Sequence, residues 1–260
     1  MNKIDWSQVY VASSQRDLLT AEDVEFLRSQ CGKLPEGYEA FVTTFGAGDL
    51  CEIQVLNRKQ IDCGITYLRD KLTEWFLSAQ DEDVPPIIPE QFALDAVPLA
   101  ATVWGDDYFC SPSEPGVLWR IPTTWDWYHS PARLPLGFTN PFVRQVPGEE
   151  PDCIAPRHLL FEPSVGRTFR VVQLVPGEKT PVGVEDLRTL IQTLIAADLD
   201  ASDEHSLVLY VQRWGARFGA GPRQHKSGYI FSCFMENEYL PEFDRLVQAI
   251  CSYGYLIAAQ

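Results

Sequence analysis

Apolar residues in the first part of the chain recur at helical spacing. Val24 and Leu27 open one stripe; Thr20 with Asp23 three residues later forms the capping-box pattern, and Gly32 supplies a stop. A second stripe runs through Tyr38, Phe41, Val42 and Phe45 at i, i+3, i+4 and i+7. Pro35 fits its first turn, where no amide donor is needed, and Gly46 and Gly48 fit its end. Residues 50–56 then read as an apolar strand. Ile61, Ile65, Leu68, Leu72 and Trp75 or Phe76 predict a third helix over 57–78, followed by an exposed acidic, proline-rich loop at 79–91. Residues 97–104, 108–111 and 117–121 read as strands, the first two joined at Gly105-Asp106-Asp107. Residues 1–18 show no period and predict an irregular lead-in.

The second half has its own order. Strands are expected at 168–175, 207–214, 229–235 and 255–259, and helices at 184–197 and 241–253, the former with Leu187, Leu190, Ile191, Leu194 and Ile195 on one face. That order, βαββαβ, is the ferredoxin-like split pattern. Residues 213–228 read as a basic, glycine-containing hairpin (Arg213, Arg217, Arg223, Lys226; Gly215, Gly219, Gly221, Gly228) that lacks the spacing of a nucleotide loop. By composition the best linker is Val-Pro-Gly-Glu-Glu-Pro-Asp at 146–152, which sets expected domains of 1–148 and 155–260. The expected fold class is α+β throughout.

Leu34, Pro35, Tyr38 and Phe41 follow an acidic helix start and precede a glycine pair and an apolar strand. Residues 97–120 add strand, Gly-Asp turn, strand, glycine and strand. Together these segments resemble the SMI1/KNR4 (SUKH) family over the first half of the chain. Gly46-Ala47-Gly48 stands where the family has Asn-Gly-Gly. The resemblance implies a SUKH-like N-terminal domain and a non-catalytic interaction protein. It points to an immunity protein that binds and neutralises a toxin, often a nuclease, or to a regulatory scaffold.

Charge sharpens that expectation. The net charge is −15, and residues 1–150 hold eleven basic against twenty-three acidic residues, so the acidity belongs to the first half. Such a balance argues against nucleic acid as a partner. It suits a basic protein partner, because complementary charge raises association rate, or it serves solubility alone. No apolar run is long enough for a membrane span, and the first residues lead into polar sequence; both predict a soluble, cytoplasmic protein without membrane contact. The seven cysteines (Cys31, Cys51, Cys63, Cys110, Cys153, Cys233, Cys251) form no CxxC pair and read as reduced. The four histidines (His129, His158, His205, His225) are not at ligand spacing, so no metal or other cofactor is expected.

Candidate partner contacts are the exposed acids and aromatics of the first half: Asp81, Glu82, Asp83, Asp106, Asp107, Trp125 and Trp127. Each has a plainer reading. Asp81, Glu82 and Asp83 fit a solvated turn; Asp106 and Asp107 fit turn formers and not a catalytic pair, since adjacent residues point apart; Trp125, Trp127, Tyr128 and Phe138 fit a cover over the sheet edge. A hydrolase or transferase built on His129 or His225 finds no supporting motif. A small-molecule sensor or self-association through the second domain is the alternative class, separable by thermal stabilisation with ligands.

Overall fold

The computed structural model describes residues 3–81, 89–123, 131–145, 150–153, 156–177, 184–222 and 228–258. The fold is mixed α+β, with six helices and two large sheets among the described residues. The chain divides into two compact units, Met1–Tyr10 with Arg16–Ser164, and Val11–Gln15 with Val165–Gln260.

The first unit comprises β1 (Tyr10–Val11), α1 (Ala21–Cys31), α2 (Tyr38–Thr44), β2 (Gly48–Leu50), β3 (Ile53–Val55), α3 (Arg58–Asp81), α4 (Phe92–Asp95), β4 (Val97–Thr102), β5 (Asp107–Cys110), β6 (Leu118–Ile121), β7 (Ala132–Leu134), β8 (Val143–Arg144), β9 (Asp152–Cys153) and β10 (Leu160–Pro163). Eight strands form one sheet in the order β1-β10-β2-β3-β4-β5-β6-β7. α1 starts at a complete capping box: Thr20 and Asp23 each accept from the other's backbone amide. It stops at Gly32, whose φ is +68°. α2 begins later than Pro35, because Gly37 is left-handed at φ +79° and a Cβ there would lie 2.8 Å from the Thr139 backbone nitrogen. Its predicted stripe is buried and meets Trp6, Phe138 and Phe161 ring to ring at 4.9 to 6.2 Å. Phe138 is thus a core residue. A second apolar cluster joins Leu68, Leu72, Trp75 and Phe76 of α3 to Phe92, Phe109 and Trp119.

Three expectations for this half change. Residues 50–56 are two strands, since Cys51 and Glu52 take left-handed φ values of 50° and 75° and turn the chain between Leu50 and Ile53. The cysteines are not all reduced: Cys31 at the end of α1 is disulfide-bonded to Cys110 at the end of β5, with Cα atoms 5.9 Å apart. The 146–152 stretch does not end the unit, because β9 pairs with β8 and Phe161 to Pro163 of β10 pair with Leu50 to Gly48 of β2. Residues up to Ser164 therefore belong to the first unit.

The second unit contains β11 (Arg167–Pro176), α5 (Val184–Leu194), β12 (Leu199–Asp200), β13 (Leu207–Val211), β14 (Ala216–Pro222), β15 (Tyr229–Glu236), α6 (Leu240–Ser252) and β16 (Tyr255–Ile257). Its sheet is antiparallel throughout, in the order β12-β13-β14-β15-β11-β16. It has six strands where four were expected: β12 is added before β13, and much of the predicted hairpin at 213–228 is strand β14. Ala216, Phe218 and Ala220 alternate inward there; the intervening residues face the other way. Leu187 and Ile191 of α5 and Phe243, Leu246, Val247 and Ile250 of α6 pack on the inward residues of the sheet and cover one face. Arg223, His225 and Lys226 of the predicted basic hairpin lie outside the described residues.

Candidate functional site

The most informative of the nominated residues are Asp106 and Asp107, where β4 turns into β5. The turn is held from several sides. Thr102 donates its amide to the Asp106 carbonyl at 2.8 Å, Gly105 donates to the Thr102 carbonyl at 2.9 Å, and the Asp106 amide donates to Thr102 Oγ1 at 3.0 Å. Gly105 is left-handed at φ +88° and leaves no room for a Cβ, which would meet Thr123 Oγ1 at 2.5 Å. Thr123 Oγ1 in turn donates to the Trp104 carbonyl at 2.5 Å.

Both acids lie beneath this turn, not on its surface. Each is only 8% exposed, which corrects their expected place among exposed acids. They do point apart, as adjacent strand residues must, and each meets a cation contributed from elsewhere in the chain. Asp106 accepts from Arg120 Nε at 2.9 Å, from Arg120 Nη2, and from the Thr123 amide at 3.1 Å. Asp107 accepts from Lys71 Nζ at 2.6 Å, and the same ammonium donates to the Gly105 carbonyl at 2.9 Å. Burial pushes the Asp107 carboxyl up, against the opposing pull of Lys71. These two pairs are pins that fix the turn, with their charge spent internally.

What the pins hold outward is apolar. Val103 and Trp104, the central residues of the turn, are 67% and 73% exposed. Hairpin tips normally carry Asn, Asp or Gly, which suit the turn's backbone conformation, so an exposed apolar pair there is unusual. On α3, Tyr67 precedes Lys71 by four residues and Glu74 follows it by three, so both share the side of the helix that reaches the turn. Tyr67, Asp70 and Glu74 are exposed. The arrangement is an exposed Trp-Val pair on a tethered turn beside a helix bearing a tyrosine and two carboxylates. Sequence reasoning passed over Val103, Trp104 and Tyr67; the available signal was the apolar pair directly before Gly105-Asp106.

For the remaining nominated residues the structure says less. Asp81 is the last residue of α3, and its side chain is outside the described set; Glu82, Asp83, Trp125 and Trp127 lie outside it altogether, as does His129. Among the described residues, no group of three or more His, Cys, Asp or Glu side chains is placed to hold a metal ion. No helix among them is long and apolar enough to cross a membrane. A groove of about 530 Å³ lies between α1 and α2, lined by Arg28, Lys33, Leu34, Pro35, Glu39 and Thr43 among others. Arg28 and Glu39 pair with each other across it at 2.6 Å, so their charges are directed at one another and not at a guest. Comparison with protein-family models, with curated proteins and with solved structures finds no match to this chain.

Proposed function

We propose that the chain is a non-catalytic protein-binding module of the SMI1/KNR4 (SUKH) kind, an immunity-type protein that captures a basic, nuclease-type toxin through its first unit. The observation that carries this reading is Trp104, 73% exposed on a turn fixed by two buried ion pairs. A large aromatic on a fixed turn has only two side-chain torsions to lose on binding and contributes a large contact area, the two properties of an interface anchor. The acidic first half and the carboxylates of α3 beside the turn provide the rim that would steer a cationic partner. Also in support, a capped helix and an aromatic helix lead through a glycine pair into a strand of the large sheet, the order on which the family resemblance rests.

The second unit is read as a ferredoxin-like core, β11-α5-β14-β15-α6-β16, with β12 and β13 added between α5 and β14. In its favour, β16, β11, β15 and β14 lie side by side and wholly antiparallel, so strands joined through a helix are separated by an intervening strand.

The test uses the full chain immobilised as bait against lysate of the source organism, with Trp104→Ala as the paired control. A basic protein retained at low salt, released as salt rises, and held at least tenfold less by the variant is the expected result. Addition of the chain should then suppress that protein's nuclease activity. Equal retention by a folded Trp104→Ala variant, or no retained basic protein, overturns the reading.

A further inference from the structure

The face of the second unit's sheet opposite α5 and α6 is apolar and open. Phe169, Val171, Ile230 and Leu256 point outward and are exposed, Phe169 at 54%; Val175 and Phe234 are partly exposed on the same face. Register places Phe169 opposite Phe234, Gln173 opposite Ile230 and Val175 opposite Leu256, so the six apolar side chains form a ridge along β11 that extends onto β15 and β16. The Phe169 and Phe234 rings are 6.4 Å apart.

Beside the ridge, on β14, the outward positions are Arg217, Gly219 and Gly221. Gly219 lies opposite Ser232 and Gly221 opposite Ile230. Neither glycine has a positive φ, so neither is required by the backbone. A Cβ at Gly221 would meet nothing within 4 Å. Glycine in a strand interior weakens it, and where conformation does not demand it the usual reason is close approach by another surface. The result is a trough parallel to the ridge.

We propose that this face is the interface of a homodimer, the ridge of one copy seated in the Gly219-Ser232-Gly221 trough of the other. Two features select a second copy as the occupant. Two-fold association needs one patch that carries both a projection and its complement, and ridge and trough adjoin here on one flat face. Charge points the same way. On a chain of net charge −15, the outward residues of β11, β14, β15 and β16 include one exposed cation, Arg217, and no exposed carboxylate, so two copies meet here with least repulsion. Four strands of about seven residues give roughly 400 Å² of flat area per copy, which suits a weak dimer and not an obligate one. The proposal is independent of the toxin-binding reading, which rests on the first unit.

Sedimentation of the full chain from about 1 to 300 µM tests it, with Gly221→Val as the variant. Valine suits a strand and enters open space, so the variant monomer should keep its melting temperature while the trough is filled. The wild type should shift from monomer to dimer with rising concentration, more readily in high salt because screening removes net repulsion, and Gly221→Val should need at least tenfold more protein. A wild type that stays monomeric at 300 µM, or a dimer unaffected by Gly221→Val, overturns the proposal.

Discussion

Arg120 anchors the turn that presents Trp104 through the two bonds it donates to Asp106. Replacing it with Met keeps most of the aliphatic stem and removes two charge-assisted donors from Asp106, leaving a carboxylate 8% exposed that keeps the bond from the Thr123 amide. Breaking a buried pair from one side costs roughly 3–5 kcal/mol, and because the Arg120 side chain is 19% exposed the lower end applies, about 3 kcal/mol. Asp106→Asn in the same background removes the stranded charge while its amide oxygen can still accept from Thr123. The double variant should therefore lose only about 1 kcal/mol relative to wild type. Completed by Asp106→Asn alone, the cycle should return a coupling of at least about 2 kcal/mol, larger by whatever that single variant costs in stranding Arg120, and Arg120→Met alone should lower the melting temperature by about 9 °C. Urea unfolding followed by tryptophan fluorescence reads this; if the units unfold separately, only the first unit's transition should move. Arg120→Met within 0.5 kcal/mol of wild type, with no coupling to Asp106, would show that the carboxylate reaches water and that the turn is not pinned.

Two further outcomes follow from the same unit and its neighbour. Glu52→Gly should raise stability by about 0.5–1 kcal/mol in the same assay, because Glu52 is exposed and held at φ 75° in a turn glycine adopts freely; no gain would mean the turn relaxes out of the left-handed region in solution. Alkylation at pH 8 should label the exposed Cys63 and Cys153 first in the native protein and spare Cys51 and Cys233, whose thiols burial pushes up to about 11 and about 12. In denaturant without reductant five thiols should react, and seven after reduction, since Cys31 and Cys110 are joined.

Elements whose cause is local were legible in the sequence. Thr20, Asp23 and Gly32 specify both ends of α1 within the helix's own residues, and the α3 stripe needed no partner to be recognised. The start of α2 was not legible, because Gly37 is left-handed to clear Thr139, about a hundred residues away in sequence. The Cys31–Cys110 bond spans 79 residues and has no spacing signature. β14 was hidden by its outward glycines, which read as loop although Ala216, Phe218 and Ala220 kept the strand period on the inward side. At the candidate site the direction of Asp106 and Asp107 was readable from their adjacency. Their burial was not, since it depends on Arg120 and Lys71 arriving from a neighbouring strand and from α3.

That burial changes how acidity and recognition are related. Had Asp106 and Asp107 been exposed, they would have contacted a basic partner directly, and salt would weaken the complex mainly through lost ion pairs at the centre. With both paired beneath the turn, the proposed binding surface would be centred on the exposed Val103 and Trp104, with charge supplied by the exposed carboxylates of α3 and the rest of the first unit. Rim charges act mostly on encounter, whereas a desolvated aromatic anchor acts mostly on escape. The two contributions therefore separate kinetically. Glu74→Gln should slow association with a captured basic partner a few-fold and flatten its salt dependence, leaving dissociation nearly unchanged; Trp104→Ala should speed dissociation at least tenfold at an almost constant association rate. Surface plasmon resonance at two salt concentrations distinguishes them. Were Trp104→Ala to act on association and Glu74→Gln on dissociation, the anchor and the rim would have been assigned the wrong way round, and the turn would be a bystander to a charge-driven contact.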